Sequence, residues 1–333
     1  MRKHLFSLPI AATLLLAGCG SDDQNQVISK RYIHKYGYAV SKEEWGANKY
    51  PGQVITNLRS GVTITATYEN GALHGPCTHT HPHSQTVQYF YQYNQGSLLK
   101  EIAYDSMGMP MKEKVQLSPQ RYCITQWYAD GTPMSVEDFA GEELLEGEYF
   151  TLHNETESKV ERGIGLRTRR DQQGTLVSKD KFDAGYMVMR EAYYPTGTPE
   201  SITNFTMNKM HGDRQAFNER GEPLAQEEYI DDILHGKATY FLNGHKQAEV
   251  FFLNGLRNGL ETHYIDGDAI EEEILWYNNR QHGPTKFYVD GVAKIDWFYD
   301  GKKVSKKHYD ELEQLDQMIS QASQGFRDGG SAR

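Results

Sequence analysis

The side chains best suited to chemistry gather early in the chain. His79, His81 and His83 alternate, with His74 and Cys77 just upstream. On an extended strand, alternate residues project from one face, so three imidazoles at this spacing could hold zinc, copper or nickel. Pro82 interrupts that strand, and no Asp or Glu lies close by in sequence to orient the rings. The competing reading is a polar loop, with His74 belonging to a recurring set that includes His211, His235 and His282. Carboxylates also pair up, as in Glu142-Glu143, Asp231-Asp232 and Glu271-Glu272-Glu273. Acid/base catalysis needs two carboxyls in unlike environments within one cleft. On the strands or turns of an open sheet, water reaches both members of such pairs. There is no Gly-x-Ser-x-Gly, phosphate loop or Cys-x-x-Cys. The expectation is a protein without catalytic residues and without a cofactor.

Any element that positions these groups must obey one spacing. Glycine recurs at 197, 221, 244, 267 and 291, and a second series runs at 212, 236, 259 and 283. Steps within each series are 23 or 24 residues. A short unit repeated this regularly builds an array, in which each unit contacts its neighbours. Asn243-Gly244, Asp266-Gly267, Asp290-Gly291 and Asp130-Gly131 favour tight hairpin turns, because both central residues need positive φ. The flanking segments, such as Lys237–Leu242 and Lys286–Val289, are short and rich in β-branched and aromatic residues. The fold class expected is all-β: an elongated single antiparallel meander of stacked β-hairpin repeats, with a short C-terminal helix.

The sequence Thr67-Tyr68-Glu69-Asn70-Gly71-Ala72-Leu73-His74-Gly75 and its counterparts ending at Gly236, Gly259 and Gly283 share Tyr-x-Asn-Gly and His-Gly punctuation. In this they resemble a bacterial variant of the membrane occupation and recognition nexus (MORN) repeat, some of whose members are labelled YwqK-type antitoxins. The likeness is best over 174–300 and looser over 53–145. It implies stacked hairpins and an interaction role, with no catalytic residues to transfer.

The N-terminus reads separately. Arg2 and Lys3 precede an apolar run from Leu5 to Ala17, too short to span a bilayer. Leu16-Ala17-Gly18-Cys19 resembles the lipobox of bacterial lipoproteins, which implies cleavage before Cys19 and acylation of that cysteine. Gly20, where an aspartate would resemble an inner-membrane retention signal, points to the outer membrane. Residues 1–18 are thus expected as a signal peptide and 19–30 as a lipidated tether. An aromatic cap over 31–52 follows, then a repeat array over 53–307. Long gaps between turn glycines predict insertions near 76–90 and 153–170. Tyr309, Leu312, Leu315, Met318 and Ile319 predict a helix over 308–322, with a disordered tail over 323–333.

Charge and cysteine usage narrow the partners. The chain carries 35 basic and 45 acidic residues, a net charge of −10. A body this acidic repels phosphate backbones, so nucleic acid is excluded, and attachment to the membrane is left to the anchor at Cys19. Cys77 and Cys123 would lie about four strands, ~19 Å, apart in register, beyond the ~7 Å that a disulfide bridges. Tyr229, Phe252 and Tyr277 occupy one repeat position, and Phe217, Tyr240, Tyr264 and Phe287 or Tyr288 roughly another. Such stripes serve either as the packed face of the sheet or as a groove for an extended protein or glycan. Three functional readings follow: a membrane-tethered interaction module, an antitoxin-like protein that masks a toxin, and a glycan- or metal-handling envelope factor.

Overall fold

The computed structural model describes residues 25–289 and 291–328, the side chains of 322–328 excepted. The leader, Cys19, Asp290 and residues 329–333 lie outside the described residues. The fold is all-β, an open antiparallel meander with, among the described residues, 26 strands and two helices. It divides into two compact units, Met1–Met109 and Pro110–Arg333. In the first, Ala66, Cys77 and Tyr91 form the buried centre, with Tyr68, Leu73, Tyr89 and Tyr93 packed around them. In the second, the buried centre is Leu144, Tyr149, Val160, Phe182 and Met187.

The two glycine series do different work. Gly244 and Gly267 close hairpin turns, beside Asn243 and Asp266 at φ 51° and 54°. The second series lies inside strands, at β-bulges. Between the pairs Val250↔Glu261 and Phe252↔Arg257, only Phe251 stands opposite residues 258–260. Between Ile274↔Thr285 and Trp276↔Gln281, only Leu275 stands opposite 282–284. Gly259 and Gly283 take φ of 110° and 114° there, which a residue with a Cβ adopts only under strain.

Each bulge has a structural consequence. It directs the carbonyl two residues before the glycine toward the turn of the next hairpin. Asp232 N donates to Met210 O at 2.9 Å, Gly255 N to Leu234 O at 2.8 Å, and Asn279 N to Arg257 O at 2.9 Å. Gly301 N donates to Gln281 O at 2.9 Å, and Gly96 N to Leu73 O at 2.7 Å in the first unit. Two of these contacts are reciprocal, since Met210 N donates to Asp232 Oδ1 and Arg257 N to Asn279 Oδ1. The opposite edge uses other chemistry: the side-chain oxygens of Asp105, Asp171 and Asn218 each accept two backbone N–H groups within their own loops.

Several boundaries differ from the sequence expectation. Neither 76–90 nor 153–170 is an insertion that projects from the sheet. Strands Ala72–Thr80 and Val87–Asn94 pair directly, as do Thr156–Glu161 and Ile164–Arg170. The sequence does not mark their turns, because His83, Asn154 and Arg162 supply positive φ at 55°, 59° and 51° without the Asn-Gly or Asp-Gly signature. The first strand, Val27–His34, begins inside the stretch expected to be tether. The cap holds a helix, Lys42–Asn48, started by a reciprocal Ser41–Glu44 capping box. The C-terminal helix runs from Lys306 to Asp328, beyond the expected 322.

Both ends of the meander are blunted against pairing with other chains. Among the described residues, the outer side of Val27–His34 pairs with Ala39–Val40 at Tyr32 and Ile33, and exposed Lys30 and Arg31 flank the remainder. The last strand, Lys302–Val304, has three residues. The C-terminal helix docks beside it: Tyr309 packs on Trp297 at 5.0 Å, and Glu313 Oε1 meets His282 Nε2 at 2.8 Å.

Substitution separates the two glycine roles. Gly283→Ala should lower stability by roughly 2–3 kcal/mol, because φ near 114° lies outside the left-handed minimum and the new Cβ would sit 2.7 Å from Leu275 Cδ2. Gly244→Ala, at φ 79° with open space around it, should cost about 1 kcal/mol. Urea unfolding of the two variants checks the order.

Candidate functional site

Strand alternation sends side chains to two faces, and register decides which ones meet. Across six strands of the second unit, Arg167, Asp180, Arg190, Thr203, Arg214 and Glu227 stand directly opposite one another in one continuous row. Asp180 is fully buried between two guanidiniums. Arg167 Nη2 donates to its Oδ2 at 2.8 Å, while Arg190 Nε and Nη2 donate to Oδ1 and Oδ2 at 2.8 and 2.9 Å. Arg167 also approaches Glu137 at 3.5 Å, and Glu137 accepts the Tyr149 hydroxyl at 2.8 Å. Further along, Arg214 Nη1 donates to Glu227 Oε2 at 2.7 Å, an oxygen that also accepts from Tyr229 OH.

Aromatic rings run alongside this row. Arg167 lies over Phe182 at 4.7 Å and Arg190 over Phe205 at 6.0 Å. Arg257 repeats the contact with Trp276 at 4.9 Å. Planar guanidinium over a ring is favourable, and more so where water is partly excluded. A second row, Ala238, Val250, Glu261, Ile274 and Thr285, is buried throughout. Glu261 there meets His263 Nε2 at 2.7 Å and Arg257 Nη1 at 3.2 Å. Trp276 Nε1 and Thr285 Oγ1 are buried beside it without a hydrogen-bond partner.

Ionisation follows from these surroundings. Burial alone would raise the Asp180 carboxyl, but hydrogen bonds and charge from Arg190 and Arg167 outweigh it and hold the group below the usual carboxylate range. Burial raises Glu272, opposite His263, with the charges of Glu261 and Glu271 adding to it against the opposing pull of His263. Burial, and then the charge of Glu227, pushes the Tyr229 hydroxyl up to about 12. Asp180, Glu227 and Glu261 are each matched by a cation on a neighbouring strand or along their own.

The aromatic stripe expected from sequence is partly re-sorted. Tyr229, Phe252 and Trp276 stand opposite Gly212, Gly236 and Gly259, so Trp276 holds the place assigned to Tyr277. Tyr277 is one residue on, 60% exposed, with its ring near His282. Tyr277 lies six residues before Gly283, whereas Tyr229 and Phe252 lie seven before Gly236 and Gly259, and a shift of one residue reverses the face. Tyr240 shares the face of Tyr229 and Phe252, through Ala225 and Ala248. Tyr264 lies on the other face, donating to Glu249 Oε2 at 2.9 Å beneath Lys246. The arginine row carries a sequence signal of its own, since Arg167, Arg190 and Arg214 recur at the glycine spacing.

The histidines do not converge. The strand ends at Thr80. His79 packs its ring on Tyr91 at 5.3 Å, and burial lowers its pKa. His81 Nε2 lies 2.9 Å from Asp105 O, and His83 sits in the turn with its N–H on Gly61 O. Among the described residues, no three His, Cys, Asp or Glu side chains are placed to share a metal ion. Cys77 and Cys123 are free thiols, and burial raises Cys77 to about 11.

Comparison with known proteins returns no matching family model and no matching curated protein. The MORN likeness therefore stays a resemblance. Among solved structures, the TcdB2-TccC3-Cdc42 structure matches at 8% identity and a TM-score of 0.19, over 83% of this chain and 22% of that one. This chain thus spans about a fifth of that protein's length. BamB from Moraxella catarrhalis matches at 13% identity and 0.15, over 74% and 82% of the two chains. A porin-like protein from Bacteroides uniformis matches at 8% and 0.15, over 80% and 92%. At these scores none informs the function.

Removing the carboxylate at the centre of the row gives a direct test. Asp180→Asn removes the buried carboxylate that both guanidiniums share, leaving Arg167 with Glu137 alone and Arg190 half-buried without its partner, and should cost roughly 2–4 kcal/mol. The Asp180 carboxyl is depressed in the fold, so its contribution is full above the unfolded value near ~3.9 and is lost as pH falls through the folded value. Thermal melts from neutral pH downward should show the wild type losing this increment in acid, while the variant lacks that part of the loss.

Proposed function

We propose that this chain is a non-enzymatic, lipid-anchored protein of the bacterial envelope that recognises another protein through its repeat sheet. The observation that supports this reading best is the unbroken row from Arg167 to Glu227, bordered by Phe182, Phe205 and Tyr229. Arginine and aromatic side chains dominate binding energy where they are held rigid and partly shielded from water. The row holds them so: the Arg190 and Arg214 side chains each keep 31% of their surface exposed while fixed by carboxylates. Such a partner would lie across the strands, meeting equivalent groups once per hairpin. The Leu16-Ala17-Gly18-Cys19 motif supplies the tether, since each buried methylene contributes about 0.8 kcal/mol and more than one acyl chain gives a stable anchor.

Two experiments separate the parts of this reading. Cys19→Ala should shift the protein from the membrane fraction to the soluble fraction and abolish incorporation of labelled palmitate. Retention in the membrane would contradict the anchor. A photo-crosslinking residue at Tyr229, Tyr240 or Phe252 should give one common adduct in intact cells, while placement at Tyr264, on the other face, should not. Equal labelling from both faces would contradict recognition through the arginine face.

A further inference from the structure

The acidity of this chain is unevenly spread. Residues 27–59 carry six Lys or Arg against two Glu, within a chain of net charge −10. That overall sign is why the sequence leaves membrane attachment to Cys19 alone. The fold gathers the local excess of cations around the strand Val27–His34, the first after the anchor motif. Lys30, Arg31 and Lys42 border one depression of about 330 Å³, together with Ala39 and Val40. Gly37 lines that depression and also the adjoining one, which Lys35 borders. All four cations are exposed.

Two features set this surface apart from the basic residues elsewhere. Among the described residues, none of the four cations lies within salt-bridge distance of a carboxylate, and Lys35 instead sits 5.1 Å from the centre of the Tyr36 ring. The lysines near the C-terminus are answered: Lys303 by Asp296 at 2.7 Å, Lys306 by Asp310 at 3.6 Å and Lys307 by Glu311 at 3.9 Å. Of the two local carboxylates, Glu44 is engaged by Ser41 in the capping box. The second feature is apolar. Ile28 and Tyr36 are 67% and 77% exposed, and Val27 and Tyr38 more than half. The buried ring of His34 fixes both tyrosines, stacking on Tyr38 at 4.6 Å and lying 5.1 Å from Tyr36.

We infer that this end of the first unit lies against a membrane surface of anionic phospholipid. Lys30, Arg31, Lys35 and Lys42 meet headgroup phosphates, and each cation near such a surface raises partitioning roughly fivefold. Tyr36 and Tyr38 match the headgroup level, where the ring is shielded and the hydroxyl stays wet. Val27 and Ile28 leave water at the same boundary. Length supports the placement. Residues 19–26 span at most about 29 Å however they are arranged, so the strand that follows stays close to the acylated cysteine. For that distance the inference rests on the anchor at Cys19; the charge and the exposed rings stand without it. A contact of this kind is released by high salt, so it does not replace the anchor in salt-washed membranes.

Co-sedimentation of the unlipidated chain from Gly20 onward, which holds every described residue, tests the surface apart from the anchor. It should bind vesicles of phosphatidylglycerol and phosphatidylcholine in equal parts, should not bind phosphatidylcholine alone, and should be released by salt. Replacing Lys30, Arg31, Lys35 and Lys42 together by Gln should weaken binding roughly a hundredfold. Replacing Lys302, Lys303, Lys306 and Lys307 by Gln removes the same charge and should leave binding unchanged. Tyr36→Ser with Tyr38→Ser should weaken it too, with an unaltered far-ultraviolet spectrum confirming the fold. The inference is overturned by absence of binding to the anionic vesicles, by equal binding to the neutral ones, or by the two Gln sets weakening binding equally. Any of these results alongside release of Cys19→Ala from salt-washed membranes would strike the surface and spare the anchor.

Discussion

The hydrogen bond from a turn amide to the bulge carbonyl of the preceding hairpin is the constraint on which the rest of the second unit depends. A hairpin pairs with its neighbour through strand edges alone in any meander, and strands can slip by two residues without exposing the wrong face. Here each slip would break the contacts at Met210, Leu234, Arg257 and Gln281. The bulge therefore fixes register as well as local geometry. It also explains the repeat length, since a hairpin must return its turn to the same height as the one before.

Fixed register is what makes the arginine row possible. Register sets Asp180 directly opposite both Arg167 and Arg190, and both guanidiniums reach its carboxylate with short hydrogen bonds. A one-residue slip would send Asp180 to the opposite face from both arginines. The cost of burying Asp180 is offset by two cations, and those cations are in turn steadied by Phe182 and Phe205. The same register lays Tyr229, Phe252 and Trp276 over glycines, where an absent side chain leaves space for a ring. Backbone and recognition surface are thus two results of one repeated geometry.

Much of this was legible in the residues. The glycine steps gave the hairpins, and the Asn-Gly and Asp-Gly pairs gave turns such as Asn243-Gly244 and Asp266-Gly267. What stayed hidden was the role of Gly259 and Gly283, because a bulge and a turn both call for positive φ and leave the same letter. Arg162 and His83 escaped notice for the converse reason: they adopt that conformation without glycine. The aromatic positions are readable except at Tyr277, whose neighbour Trp276 sits at the equivalent distance from its glycine and takes the shared face. Asp180 could not be recognised as buried from sequence, since its partners lie 13 and 10 residues away on separate strands.

The most direct test of the register-setting contact is amide hydrogen exchange, resolved to single residues in the native protein. The amides of Gly255 and Asn279, engaged by Leu234 and Arg257 across hairpins, should exchange far more slowly than that of Gly244 in a turn on the opposite edge. Exchange of all three at a similar, fast rate would show that the turns hang free, and the account of how this sheet keeps its register would be contradicted.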